Sequence, residues 1–183
     1  MNKRLKTELK SHMIEKYNFE ISYPDSYKDI SKLGDDESDV LNNMQNIVSG
    51  EVISDYMQSL NFVETVKNLK SDVNGIRLIV EAINIEKTEL SIEEICKRYV
   101  VMFRIYNEDA IIQDTKSEII TLDGKEVGKV TLKVKGKQEP SVIIAYLISL
   151  EDREITVTFM TSETNAQLFE NEINDIINSL KIY

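Results

Sequence analysis

SVIIAYLISLEDREITVTFM, residues 141–160, decides how this chain folds. Residues 142–150 are apolar at odd and even positions alike, so both faces of that strand need cover, which puts it near the middle of a sheet. The turn EDRE follows. Beyond it Ile155, Val157 and Phe159 alternate with Thr156 and Thr158, the period of a strand with one side turned to a core. Working toward the C-terminus, Thr164 with Gln167 three residues on is a capping pattern. It opens a terminal helix whose Ala166, Phe169, Ile173, Ile176, Ile177 and Leu180 line one stripe.

Toward the N-terminus, residues 117–122 and 125–135 flank Asp123-Gly124, a dipeptide that accepts positive φ, and so predict a hairpin. Val130, Leu132 and Val134 share one face of its second strand. Ser91-Ile92-Glu93-Glu94 is a capping box, followed by Ile95, Cys96, Tyr99, Val100 and Phe103 at helical spacing. Residues 62–66 and 75–85 read as two strands joined by KNLKSDVN, the second with apolar residues on both faces. A helix is expected over 39–48, and residues 52–60 form a further helical piece or an irregular crossing. YNFEISY, residues 17–23, alternates and stops at Pro24, as a half-buried strand does. Amphipathic helices must therefore cover a sheet that is apolar on two sides. The expected fold is α+β, a three-layer α/β/α sandwich with a mainly antiparallel sheet, in one domain over 17–183 after an N-terminal extension, 1–16.

Composition narrows the function. Asp plus Glu number 32 against 22 Lys plus Arg, giving a formal charge of −10, the wrong sign for a nucleic-acid binder. One cysteine excludes an internal disulfide, and one histidine removes the usual zinc sets. The longest wholly apolar run, 142–148, is far short of the roughly 20 residues of a membrane span. The first sixteen residues have no secretory core, so a cytoplasmic location is expected, or that of an extracytoplasmic lipoprotein if a leader has been removed. Ser11-His12-Met13 resembles a cloning junction, so no role is built on His12.

YNFEISYPDSY (17–27), SIEEICKRY (91–99), ITLDGKEVGKVTL (120–132) and REITVTFMTS with the closing NEINDIINSLKIY occur in an order that resembles the PsbP, DcrB and Mog-like family. The resemblance implies an antiparallel sheet between helices and a binding scaffold generally without catalysis. It supplies no catalytic residue and implies no cofactor. The family's members range from photosystem subunits and envelope lipoproteins to a Ran-binding import factor and Eag chaperones that shield hydrophobic segments of secreted effectors.

Candidate chemistry is sparse. Cys96 is a potential nucleophile, but it lies on the apolar stripe of its helix with no histidine near in sequence, so packing is the favoured role. Asp35, Asp36, Glu37 and Asp39 offer oxygen ligands for a hard cation without the ligand spacing or glycine turn of a calcium loop, and acidic residues before a helix need no metal to explain them. Tyr23, Tyr27, Tyr99 and Tyr146 suit core or rim positions. Lys129, Lys133, Lys135 and Lys137 share a parity, which gathers cations on one face of an acidic protein: a candidate partner-binding surface, or else lysines guarding an edge strand. The expected function is a non-catalytic module that takes a protein segment in a sheet–helix groove or at a sheet edge, with an Eag-like chaperone as its specific version and a homodimer as one arrangement. An enzyme on a small ligand and an accessory subunit of a larger assembly are the rivals.

Overall fold

The computed structural model describes residues 8–30, 63–85, 90–135 and 139–183. Within them, β1 (Lys10–Ile14), β2 (Phe19–Tyr23) and β10 (Lys181–Ile182) form a small antiparallel sheet with β2 in the middle. The main sheet holds seven strands: β3 (Tyr27–Asp29), β4 (Glu64–Ser71), β5 (Arg77–Asn84), β6 (Ile112–Leu122), β7 (Lys125–Val134), β8 (Ser141–Ser149) and β9 (Arg153–Ser162). They lie in the order β3-β4-β5-β9-β8-β7-β6, and every pairing is antiparallel. Helix α1 (Ile92–Tyr106) covers one face. On the other lie α2 (Glu163–Leu168), α3 (Glu170–Asn178) and the small sheet.

Strand parity divides the core in two. Ile143, Ala145 and Leu147 of β8 join Val130 and Leu132 of β7 under Ile95, Cys96 and Phe103 of α1. The alternate residues Tyr146 and Ile148 turn the other way, meeting Val157 and Phe159 of β9, Ile173, Ile176 and Ile177 of α3, and Phe19 and Ile21 of β2. This is the three-layer sandwich expected of strands that are apolar on both faces. The capping box at α1 is complete: the Glu94 amide donates to Ser91 Oγ at 3.3 Å, and the Ser91 amide donates to Glu94 Oε2 at 2.8 Å. The 123–124 turn has φ of 48° at Asp123 and 74° at Gly124, as a two-residue hairpin requires.

Four boundaries differ from the sequence reading. Residues 10–14, within the segment read as an extension, form β1, where His12 stacks on Tyr23 with ring centroids 4.0 Å apart. β4 runs on through Ser71, taking in most of KNLKSDVN, with its irregularity between Thr65 and Lys67. β6 begins at Ile112, well before residue 117. The cap of the terminal helix is Ser162, whose Oγ accepts from the Asn165 amide at 3.3 Å, while Thr164 instead donates to Glu139 Oε2 at 2.7 Å. The helix also divides at Phe169. The helix expected over 39–48, the acidic cluster at 35–39 and Lys137 lie outside the described residues.

Candidate functional site

α2 and α3 rest on β8, β9 and β2, so the outer strands of that sheet face are left beside them as one wall of a groove of about 280 Å³. Its floor follows from the β7–β8 register, which sets Lys129 opposite Tyr146, Thr131 opposite Ile144 and Lys133 opposite Val142. Directly opposed residues in antiparallel strands share a face. Glu163, Ala166 and Gln167 of α2 and Glu170, Ile173 and Asn174 of α3 form the other wall.

Charges are arranged in pairs around this groove. Lys133 Nζ reaches Glu163 Oε1 at 2.7 Å, bridging sheet and helix. Lys129 Nζ lies 3.1 Å from Glu118 Oε1 and 5.9 Å from the centroid of the Tyr146 ring. Glu118 also takes Lys116 at 2.9 Å. The two ammonium groups, Lys116 first, hold its carboxyl below the usual range. Burial, with the carboxylates of Glu118 and Glu170, pushes the Tyr146 hydroxyl up to about 12. Near neutral pH Tyr146 therefore keeps its proton and Glu118 stays ionised, which suits the groove to charge and shape recognition.

Of the predicted lysines, Lys129 and Lys133 meet on this rim, Lys135 is exposed beyond the end of β7, and Lys137 is not among the described residues. The expected concentration of positive charge is offset by Glu118 and Glu163. Guarding an edge does not explain these residues either, because among the described strands β7 is second from the edge, inside β6. Cys96 is buried against Gly128, its thiol pushed up by burial and by Glu93. Tyr27 donates to Glu172 Oε1 at 3.0 Å, and Asn74 Nδ2 donates to the same oxygen at 2.9 Å, tying the β4–β5 turn to α3.

A second polar group lies on the face that carries α1. Glu81 of β5 faces Thr156 of β9, its carboxyl pushed up by burial, and the Tyr99 hydroxyl bonds Thr158. Arg98 Nη2 reaches Glu154 Oε2 at 2.6 Å, and Glu154 Oε1 is buried with no hydrogen-bond partner among the described residues. Sequence reasoning passed over Glu81 and the groove carboxylates Glu118, Glu163 and Glu170. Glu81 did leave a signal, as a lone acid between Ile79 and Ile83, with Arg77 the other charged residue at that parity of the strand. Among the described residues no three His, Cys, Asp or Glu side chains converge as a metal site, and no helix is long and apolar enough to cross a membrane.

The sheet roofed and floored by helices has a PsbP/Mog-like fold. No family model matches the chain, and no curated protein matches it. Among solved structures it is similar to cyanobacterial PsbP (CyanoP) from Synechocystis sp. PCC 6803, with a TM-score of 0.63 and 12% identity over 100% of this chain and 97% of that one. The Saccharomyces cerevisiae Ran-binding protein Mog1p matches with a TM-score of 0.52 and 12% identity, covering 97% of this chain and 96% of its own. LpqN, involved in cell envelope biogenesis of Mycobacterium tuberculosis, matches at 0.50 and 7% identity over 96% and 90% of the two chains. At such identities the shared property is the fold.

Proposed function

We propose that this chain is a non-catalytic binding module whose groove between β7–β8 and α2–α3 takes a segment of a protein partner. The supporting observation is the groove's composition. An apolar floor of Val142, Ile144 and Tyr146 lies between ammonium groups on the sheet side, Lys129 and Lys133, and carboxylates on the helix side, Glu163 and Glu170. A segment with an apolar anchor flanked by an acid and a base would exchange the internal ion pairs for external ones at little electrostatic cost. The occurrence of the fold in a Ran-binding protein of S. cerevisiae supports a protein-binding use of the scaffold. The Eag-like version anticipates an apolar open sheet face. The strip beside this groove carries Asp114, Lys116, Glu118, Lys129 and Lys133, and lends that version no support.

The test fills the groove. Thr131→Arg and Ala166→Arg project bulk from its two walls, and each variant is compared with the wild type in co-purification from the native host under mild lysis. The expected result is a stoichiometric partner retained by the wild type and lost from variants of unchanged thermal stability. A partner that both variants keep, or the lack of any stoichiometric partner, would count against the proposal.

A further inference from the structure

We infer that β6 is an interface to a second copy of this chain, the two β6 strands pairing antiparallel about a twofold axis at Ser117. The inference does not depend on what occupies the groove. Among the described residues β6 spans 11 residues at the edge of the main sheet, with β7 as its neighbour there. The two-residue turn at 123–124 makes Leu122 and Lys125 a hydrogen-bonded pair, and bonded pairs then alternate back along the hairpin. Leu122, Ile120, Glu118 and Lys116 therefore bond β7, while Thr121, Ile119, Ser117 and Thr115 turn their amides and carbonyls outward. The Thr115 amide agrees with this count, since it donates to its neighbour's Asp114 Oδ1 at 2.8 Å.

Among axes at residues 115–118, the side chains select one register. With the axis at Ser117, Lys116 stands opposite Glu118 of the partner subunit, and the symmetry supplies that pair twice. Moving the axis to Lys116 sets that lysine against its own copy and Asp114 against Glu118 of the partner subunit. Moving it to Glu118 sets that carboxylate against its own copy. Like charges directly opposite are destabilising in a sheet, and opposite charges are stabilising. An axis at Thr115 also matches Asp114 with Lys116 of the partner subunit, but it carries the pairing through the irregularity between Ile112 and Asp114. The Ser117 axis keeps that irregularity at the ends. It also lays Thr115 of the partner subunit over Ile119, an apolar side chain left 43% exposed in the single chain. Charges and a bulge that discourage arbitrary strand addition thus leave one partner that fits, the strand itself.

Sedimentation of the full chain tests this. The wild type is expected to form a dimer. Lys116→Glu opposes carboxylate to carboxylate and Glu118→Lys opposes ammonium to ammonium, so each variant alone is expected to dissociate at least about tenfold more readily. An equimolar mixture of the two restores opposite charges at both pairs and is expected to recover the dimer, which a misfolded variant cannot do. In a separate arm, Ser117→Cys places two thiols on the axis and is expected to form a disulfide-linked dimer under mild oxidation, whereas Thr121→Cys is not. A wild type that stays monomeric to about 0.1 mM, a dimer unaffected by either charge variant, or variants that fail to recover on mixing would each overturn the inference.

Discussion

Replacing Gly128 with alanine tests the packing of α1 on the sheet. A Cβ built at Gly128 falls well inside van der Waals contact with Cys96 Sγ, and it meets Ile92 Cγ1 at 3.4 Å and Ile92 Cδ1 at 3.5 Å. The sulfur is only two bonds from the helix Cα, and Ile92 blocks the neighbouring space, so the helix or the strand must shift. Overpacking of this kind costs about 1–3 kcal/mol. Removing a glycine from a strand interior returns about 0.5–1 kcal/mol. The net expectation is a loss of about 1–2 kcal/mol, or roughly 3–6 °C in Tm for a chain of this length. The chain has no tryptophan, so urea unfolding is followed by far-UV circular dichroism. In a Cys96→Ala background the obstructing sulfur is gone and the added methyl enters the space it left. Gly128→Ala should then be neutral or stabilising, a coupling of about 1–2 kcal/mol between the two sites. Gly124→Ala is the control: its φ of 74° makes alanine strained by about 1–2 kcal/mol, nothing lies within 4 Å, and its cost should ignore Cys96. An equal cost for Gly128→Ala in both backgrounds would refute the packing account.

Glu81→Gln probes the half-buried acid of β5. Burial raises the folded-state pKa of Glu81 above its ordinary 4.5, so the folded chain binds that proton more tightly than the unfolded chain does. The stability this contributes is complete below about 4.5 and is lost as pH rises through the folded-state value. Glu81→Gln should therefore melt higher than the wild type at pH 8, with the advantage fading toward pH 4.5, and parallel melting curves across that range would reject the assignment. Ser162→Ala should cost about 1 kcal/mol in urea unfolding because it removes a helix cap, whereas Thr164→Ala, at an exposed contact, should cost about 0.5 kcal/mol or less; the reverse order would restore Thr164 as the cap. Cys96 should react with an aromatic disulfide reagent at a rate set by unfolding, slow in buffer and fast in urea, and prompt labelling of the folded chain would contradict its burial.

What sequence made legible was whatever depends on period. Strands β8 and β9, the 123–124 hairpin and α1 were readable because alternation, positive-φ turn residues and a capping box are local signals, and each coincides with the packing. β1 escaped because KSHMI interleaves polar residues, and its stability comes from pairing with β2 rather than from its own apolar content. The first half of β6 escaped for a related reason: an exposed edge strand carries Gln113, Asp114, Thr115 and Lys116, which read as a loop until β7 is set beside them. The lysine parity of β7 was visible, but the acids that answer it were not. Glu118 comes from the neighbouring strand and Glu163 from a helix thirty residues away, and only the assembled fold brings them within reach.

The charge on the open sheet strip follows from the reach of the terminal helix. α2 and α3 are short, split at Phe169, and seated on β8, β9 and β2, so apolar residues at groove-side positions pay off only under that cover. Tyr146, Ile148, Val157 and Phe159 lie there and are buried. One strand outward the same parity carries Lys129, Thr131 and Lys133, and at the edge it carries Glu118, Lys116 and Asp114. A continuous apolar face at these positions would invite indiscriminate pairing and aggregation. The boundary between the two compositions therefore marks where the protein's own cover ends. A ligand crossing it must bring an apolar group for one side and charges for the other, a demand that chains sharing this fold at 12% identity need not share.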